Sequence, residues 1–141
     1  MYIKLDYYSI WNLNLSLNLT PPMKIVNMTS LPETGVSHNP DIKRKTLIGK
    51  GEIPRLMMFS KAVLKPGQFV ESHTHETMYE VFFICSGRAV FTIDGREIEA
   101  QEGDCITVAP KENHSLKNPF DADGTWLYFG IATDATSPSS T

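Results

Sequence analysis

The chain has 141 residues, of which 41% are hydrophobic and 21% are charged, values that fit one globular domain with a substantial core. Its formal net charge of −3 provides no basic surface that would attract nucleic acid or an anionic membrane. No apolar run approaches the ~20 residues of a membrane-spanning helix. We therefore expect neither nucleic acid nor a membrane as a partner.

Residues 1–22 carry one basic side chain, Lys4, and no continuous apolar core, so they do not have the pattern of a secretion signal. Leucine alternates with asparagine and serine from Leu13 to Leu19, which is compatible with an amphipathic strand. A second interpretation is that translation starts at Met23 and that residues 1–22 are a mis-assigned extension. The sequence leaves both interpretations open.

Residues 47–132 read as short apolar strands separated by turns. Asp94-Gly95 between two such runs is a strong hairpin signal, because a type I′ turn needs positive φ at both central positions. No long stretch shows a helical period, and regularly spaced short strands predict a β-sandwich or barrel. The predicted strands cover residues 56–64, 79–85, 89–93, 96–100, 105–108 and 125–131.

The domain organisation predicted from these elements is simple. We expect a single domain over residues 23–132, with no internal repeat, followed by a Ser/Thr/Ala-rich disordered tail over residues 133–141. Cys85 and Cys105 each lie in an apolar segment, so we expect two buried free thiols rather than a disulfide. Free thiols fit a reducing compartment, and we predict a cytoplasmic location.

The candidate metal ligands are His73, His75, Glu80 and His114. His73 and His75 are two residues apart, so on a strand both imidazoles would point to the same face. Glu80 can return to that face after a turn, and His114 is expected to join it from a turn near Asn118. Imidazole and carboxylate donors suit Fe, Mn, Ni, Co or Zn, and around a divalent ion they leave one net positive charge.

The spacing of these residues resembles the two motifs of the cupin superfamily. Gly67, His73, His75, Glu80 and Gly87 occupy every fixed position of the first motif. The resemblance covers about residues 45–132.

The second cupin motif is matched less completely. Gly103, His114 and Asn118 stand at the matching positions, whereas Ala109 replaces a proline and Lys111 replaces a glycine. The two replacements concern the turn that presents His114 rather than the ligands. Asn118 is interpreted as a residue that caps a turn, not one that contacts substrate.

The resemblance implies an all-β fold, a double-stranded β-helix or jelly-roll barrel with little helix. It also implies one divalent metal held by His73, His75, Glu80 and His114, and a small-molecule ligand. By strand parity Phe82 and Ile84 share the side of Glu80 and would form an apolar pocket wall. Trp126 and Tyr128 are further pocket candidates, although parity alone does not say which face of their strand points inward.

The resemblance allows more than one function. It implies a metal-dependent dioxygenase, isomerase, decarboxylase or lyase that acts on a small oxygen-rich metabolite, and we expect an enzyme. The alternative is a non-catalytic module that binds a sugar or a carboxylate. Lys43-Arg44-Lys45, the basic cluster of the chain, is interpreted as a solvated face. Small cupins are commonly dimers and exposed strand edges need covering, so we predict a homodimer.

Overall fold

The computed structural model describes residues 23–133, which form ten strands and one short 3-10 turn at Met28–Ser30. The strands are β1 (Thr34–Val36), β2 (Asn39–Ile48), β3 (Leu56–Leu64), β4 (Phe69–His73), β5 (Met78–Ser86), β6 (Arg88–Ile93), β7 (Arg96–Gln101), β8 (Cys105–Val108), β9 (His114–Lys117) and β10 (Gly124–Ala132). Within residues 23–133 there is no α-helix, and so none long and apolar enough to cross a membrane.

The strands form two antiparallel sheets. The six-stranded sheet has the order β1-β2-β3-β10-β5-β8 and the four-stranded sheet has the order β4-β9-β6-β7. This is the all-β architecture that the sequence predicts. The predictions for residues 1–22, and for the tail from residue 134 onward, lie outside the described residues.

The predicted strands agree with β3, β5, β6, β7, β8 and β10 to within one residue at each end. The predicted ranges leave out four of the observed strands, namely β1, β2, β4 and β9. In β2 a single residue, Ile42, is fully buried among polar neighbours, so the strand lacks an apolar alternation. The expectation that His114 lies in a turn near Asn118 is wrong, because His114 is the first residue of β9 and pairs with His73 of β4.

The core lies between the two sheets. Along β10, Trp126, Tyr128 and Gly130 are buried, whereas the alternate residues are half-buried or exposed. The inward face of β10 is therefore the one that carries Trp126 and Tyr128. Tyr128 stacks on Phe82 with ring centroids 5.8 Å apart, and Phe82 meets Phe91 of the opposite sheet edge-on at 5.2 Å. These aromatic contacts join the sheets beside the candidate ligands.

The hairpin between β6 and β7 has the geometry that its sequence predicts. Asp94 has a φ of 46° and Gly95 a φ of 79°, and the flanking residues Ile93 and Arg96 are paired. Positive φ at both central positions is the signature of a type I′ turn.

The outer face of the six-stranded sheet is apolar. Tyr79, Phe83 and Ile131 are 44%, 45% and 42% exposed, although each lies within a strand. Cys105 is also exposed and Cys85 is half-buried, and both thiols are free. The expectation of buried thiols is therefore wrong for Cys105, because apolar neighbours in β8 do not by themselves place a side chain inside. The cytoplasmic location stays a prediction.

Gly87 links β5 to β6 where no larger residue fits. Its φ is 72°, and a Cβ there would lie 2.2 Å from the carbonyl oxygen of Asp123. We expect Gly87→Ala to lower the free energy of unfolding by about 3 kcal/mol, since a left-handed conformation and a backbone clash both oppose the methyl group. Gly95→Ala is the control, because its φ is 79° with nothing within 4 Å of the new Cβ. The free energy of unfolding of that variant should fall by about 1 kcal/mol. Urea unfolding measures both, and equal losses would contradict the clash.

Candidate metal centre

Both sheets contribute to the cluster of His73, His75, Glu80 and His114. His73 ends β4 and pairs directly with His114 on β9, which places their ring centroids 4.2 Å apart. His75 lies two residues beyond β4, in the connection to β5. Glu80 comes from β5 in the opposite sheet and is 6% exposed. The cluster therefore bridges the space between the sheets at one end of the fold.

The donor atoms of these four residues converge. One ligand atom from each residue can be chosen so that all four lie within 4.8 Å of one another. Oε2 of Glu80 lies 3.1 Å from Nε2 of His114 and 3.3 Å from Nε2 of His75. Three imidazoles and one carboxylate at these separations form a compact donor set for a transition metal.

Backbone carbonyl groups orient two of the imidazoles. Nδ1 of His73 lies 2.8 Å from the carbonyl oxygen of Glu71, and Nδ1 of His114 lies 3.0 Å from that of Glu112. A carbonyl oxygen only accepts hydrogen bonds, so both Nδ1 atoms carry the proton and donate it. In a neutral ring the lone pair is then on Nε2. At His114, Nε2 is the nitrogen that faces Glu80. This arrangement is typical of metal-ligating histidines.

The contact between Glu80 and His114 provides a test of whether the site suits a cation. With a neutral His114, the lone pair of Nε2 faces the carboxylate oxygen at 3.1 Å. Two acceptors at that distance repel each other unless a proton or a metal ion lies between them. The cluster therefore fits a divalent metal, with three imidazoles and Glu80 as its ligands.

The pKa values of the cluster residues agree with this electrostatic picture. Burial alone would raise the pKa of Glu80, but contacts with His114 and His75 outweigh burial and lower it to about 2. Burial alone would lower the pKa of His114, but Glu80 and the Glu112 carbonyl raise it above its usual value. At His73 burial dominates and its pKa is lowered. The site therefore favours one positive charge beside Glu80.

The turn before β9 supports both His75 and His114. The amide N–H of Lys111 donates to the carbonyl of His75 at 2.8 Å, and the carbonyl of Glu112 accepts from His114. Lys111 has a φ of 70°, a left-handed conformation that glycine adopts more easily. The carboxylate of Glu112 accepts from the amide of Ala109 at 2.7 Å and closes the turn. The turn is thus formed without the glycine and proline of the family motif.

A pocket of about 90 Å³ opens beside the cluster. It has room for several waters or one small acid, since one water needs roughly 10–15 Å³. Of the predicted pocket residues, Phe82, Trp126 and Tyr128 line it. Ile84 shares their face but packs in the hydrophobic core and is not a lining residue.

Among the pocket residues that the sequence did not predict, two carry a basic side chain, Arg44 and His38. Arg44 lines the pocket, so its interpretation as part of a solvated face is wrong. On β2 the inward side chains alternate with Lys43 and Lys45, and recognising that strand would have placed one of the three basic residues inside. His38 stacks on His73 with ring centroids 3.9 Å apart. It lies between β1 and β2, and no local signal connects it to the other histidines.

The side chain of Asn118 forms hydrogen bonds with backbone groups, as predicted. Its Nδ2 donates to the carbonyls of Leu64 and Ala122, both at 2.8 Å, and its Oδ1 accepts from the amide of Phe120 at 2.9 Å. These three bonds hold the loop before β10. They leave no role for Asn118 in contacting a ligand.

Sequence comparisons identify relatives with related folds. The family model for the Cupin_2 cupin domain matches residues 60–130. An oxalate-binding protein of Thermotoga maritima is 29% identical, over 56% of this chain and 75% of that protein. An uncharacterised protein of Methanocaldococcus jannaschii is 32% identical, over 42% of this chain and 47% of its own length.

Solved structures resemble the whole two-sheet unit. A predicted oxalate decarboxylase from Thermotoga maritima has a TM-score of 0.72 and 24% identity, over 77% of this chain and 99% of that one. A sugar phosphate isomerase of the cupin superfamily from Silicibacter pomeroyi has a TM-score of 0.66 and 21% identity, over 78% of this chain and 76% of that one. At these identities the likeness concerns the fold alone.

Removal of one imidazole tests the ligand set. We expect His75→Ala to hold less than half of the metal bound by the unchanged protein, because the site loses one of four donors. His38→Ala is the matched control, since His38 stacks on His73 without belonging to the cluster. That variant should keep full occupancy. Metal content of purified, dialysed protein measures both, and full occupancy in His75→Ala would refute the assignment.

Proposed function

The chain belongs to the Cupin_2 family of cupin domains, and from that premise we propose that it is a divalent-metal-dependent enzyme acting on a small oxygen-rich metabolite. The observation that carries the proposal is the convergence of three imidazoles and Glu80 beside a small pocket. A transition metal held by these four residues could also take oxygen ligands from a small molecule, in contrast to a closed structural site.

The residues that would hold the ion are His73, His75, Glu80 and His114, and Fe, Mn, Ni, Co or Zn would suit them. When bound, such an ion supplies Lewis acidity that polarises the oxygen atoms of a ligand. The protein contributes orientation, through the carbonyls that hold His73 and His114. Phe82 and Trp126 contribute apolar walls that limit water in the pocket.

The reaction class favoured is carboxylate or oxygen chemistry at the metal, within the dioxygenase, isomerase, decarboxylase and lyase classes. The Thermotoga maritima relative named for oxalate binding supports a small carboxylate as the ligand. The pocket volume of about 90 Å³ also favours a ligand of that size.

A second candidate is a binding module without catalysis. The same relative is named for binding rather than for a reaction. Tyr128, which lines the pocket, has a pKa raised chiefly by burial and only partly offset by Arg44, so its phenol stays neutral and is a poor base. These observations leave the metal as the main source of activation if chemistry occurs.

Metal removal separates these functions. We expect the chelated protein to keep its fold, because the hydrophobic core draws on both sheets and includes none of the four ligands. It should lose all turnover of a panel of small carboxylates that includes oxalate. Thermal unfolding, oxygen uptake and carbon dioxide release are measured before and after chelation. Metal-dependent binding without product would establish the binding module instead. Unfolding on chelation would indicate a structural metal and contradict the proposal.

We also propose that two copies of the chain pair through the outer apolar face of the six-stranded sheet. Tyr79, Phe83 and Ile131 are exposed there, and large apolar patches of this kind are typical of interfaces. Light scattering should give a dimer at micromolar concentration. Phe83→Glu should give a monomer, whereas Ile98→Glu, at an exposed position on the other sheet, should not. A monomeric unchanged protein would contradict the proposal.

A further inference from the structure

Two buried hydrogen-bond donors in the pocket have no partner. Nε of Arg44 and Nε1 of Trp126 are both inaccessible to solvent and unpaired within the described residues, and both side chains line the pocket. Trp126 is 2% exposed. Buried polar groups in proteins are nearly always paired, because a lost hydrogen bond is not replaced by water. Two such donors in one small pocket therefore point to an acceptor that the ligand supplies.

The sheet places the two donors on either side of a small residue. Arg44 on β2 and Trp126 on β10 both pair with Ala62 on β3. The three residues thus form one row across the sheet, with the fully buried Ala62 in the middle. Neighbouring strands are about 4.8 Å apart, so Arg44 and Trp126 lie on the same face of the sheet, one on each side of the methyl group. Both side chains reach the pocket from this sheet, whereas Ala62 itself packs in the hydrophobic core.

The charge of Arg44 is not neutralised within residues 23–133. Its Nη1 donates to the hydroxyl of Tyr128 at 3.3 Å, which steadies the guanidinium but adds no negative charge. No ion pair of Arg44 occurs in that range. A guanidinium pairs best with a planar carboxylate, which it can meet with parallel hydrogen bonds.

We infer that the ligand of this pocket is a small dicarboxylate, one carboxylate of which is bound by Arg44 and Trp126 while its other oxygen atoms face the metal centre. The inference rests on the proposed function for the metal. A divalent ion held by Glu80 and three neutral imidazoles carries one net positive charge, and Arg44 adds a second. A dianion balances that pair of charges. Arg44 and Trp126 are thus specificity-determining residues.

The affinities of tartronate and glycolate together distinguish binding by the metal from binding by Arg44 and Trp126. Both offer an α-hydroxycarboxylate to the metal, but only tartronate adds a second carboxylate. We expect the zinc-loaded protein to bind tartronate at least about tenfold more tightly than glycolate, the gain typical of charge-assisted hydrogen bonds. Isothermal calorimetry measures both affinities, with the zinc content of every sample determined first.

Substitutions at Arg44 and Trp126 should reduce that preference selectively. Arg44→Met should bring the tartronate-to-glycolate ratio close to one and leave glycolate affinity within about twofold. Trp126→Phe keeps an aromatic ring without the N–H and should reduce the ratio by a smaller factor. Lys43→Met is the matched control, because Lys43 is exposed on the same strand, and it should behave as the unchanged protein.

An NMR measurement on the unchanged protein tests the inference even if a variant fails to fold. The indole N–H resonance of Trp126, identified as the one absent in Trp126→Phe, should move downfield when tartronate is added to the zinc-loaded protein. An unmoved resonance overturns the inference, as does a fully zinc-loaded Arg44→Met variant with an undiminished ratio. Either result leaves the metal centre intact. Failure of the unchanged protein to hold zinc refutes the proposed function instead, and the same titration of the metal-free protein then tests the carboxylate contact by itself.

Discussion

The contact of Glu80 with the imidazoles of His75 and His114 is the interaction on which the site depends. Glu80 lies in the six-stranded sheet and His114 in the four-stranded sheet, and the carboxylate meets a histidine nitrogen at 3.1 Å. A buried carboxylate is costly unless positive charge lies beside it. Paired strands β4 and β9, and a turn that holds His75 and His114 together, bring the histidines to it. The fold thus creates one position where a cation lowers the energy.

The remainder of the pocket offers hydrogen-bond donors rather than metal ligands. In the same pocket as the metal donors, β2 and β10 contribute Arg44 and Trp126, each with a buried donor that lacks a partner within residues 23–133. Tyr128 orients Arg44, and Phe82 packs against Tyr128. An ion and a guanidinium in one pocket would both bind a small anion. Apolar side chains between them strengthen both interactions, because little water competes.

Much of this arrangement was predictable from sequence where the signal was local. Strands with an apolar alternation, such as β3 and β8, were predicted with their observed bounds. Asp94-Gly95 determined its own turn through the φ values it favours. Predictions failed where polarity obscured the pattern, as in β2, or where burial depended on a strand's neighbours, as at Cys105 on the edge strand β8.

The sequence by itself determined the donor set, because His73, His75 and Glu80 lie within eight residues at the spacing of the first motif. It also determined the hairpin between β6 and β7 and six of the ten strands within residues 23–133. Only the tertiary structure decided that Arg44 faces the pocket, that β10 turns Trp126 inward and that His38 stacks on His73. The reason is physical: side-chain direction in a strand is set by pairing register, and β2, β3 and β10 pair across residues far apart in the chain.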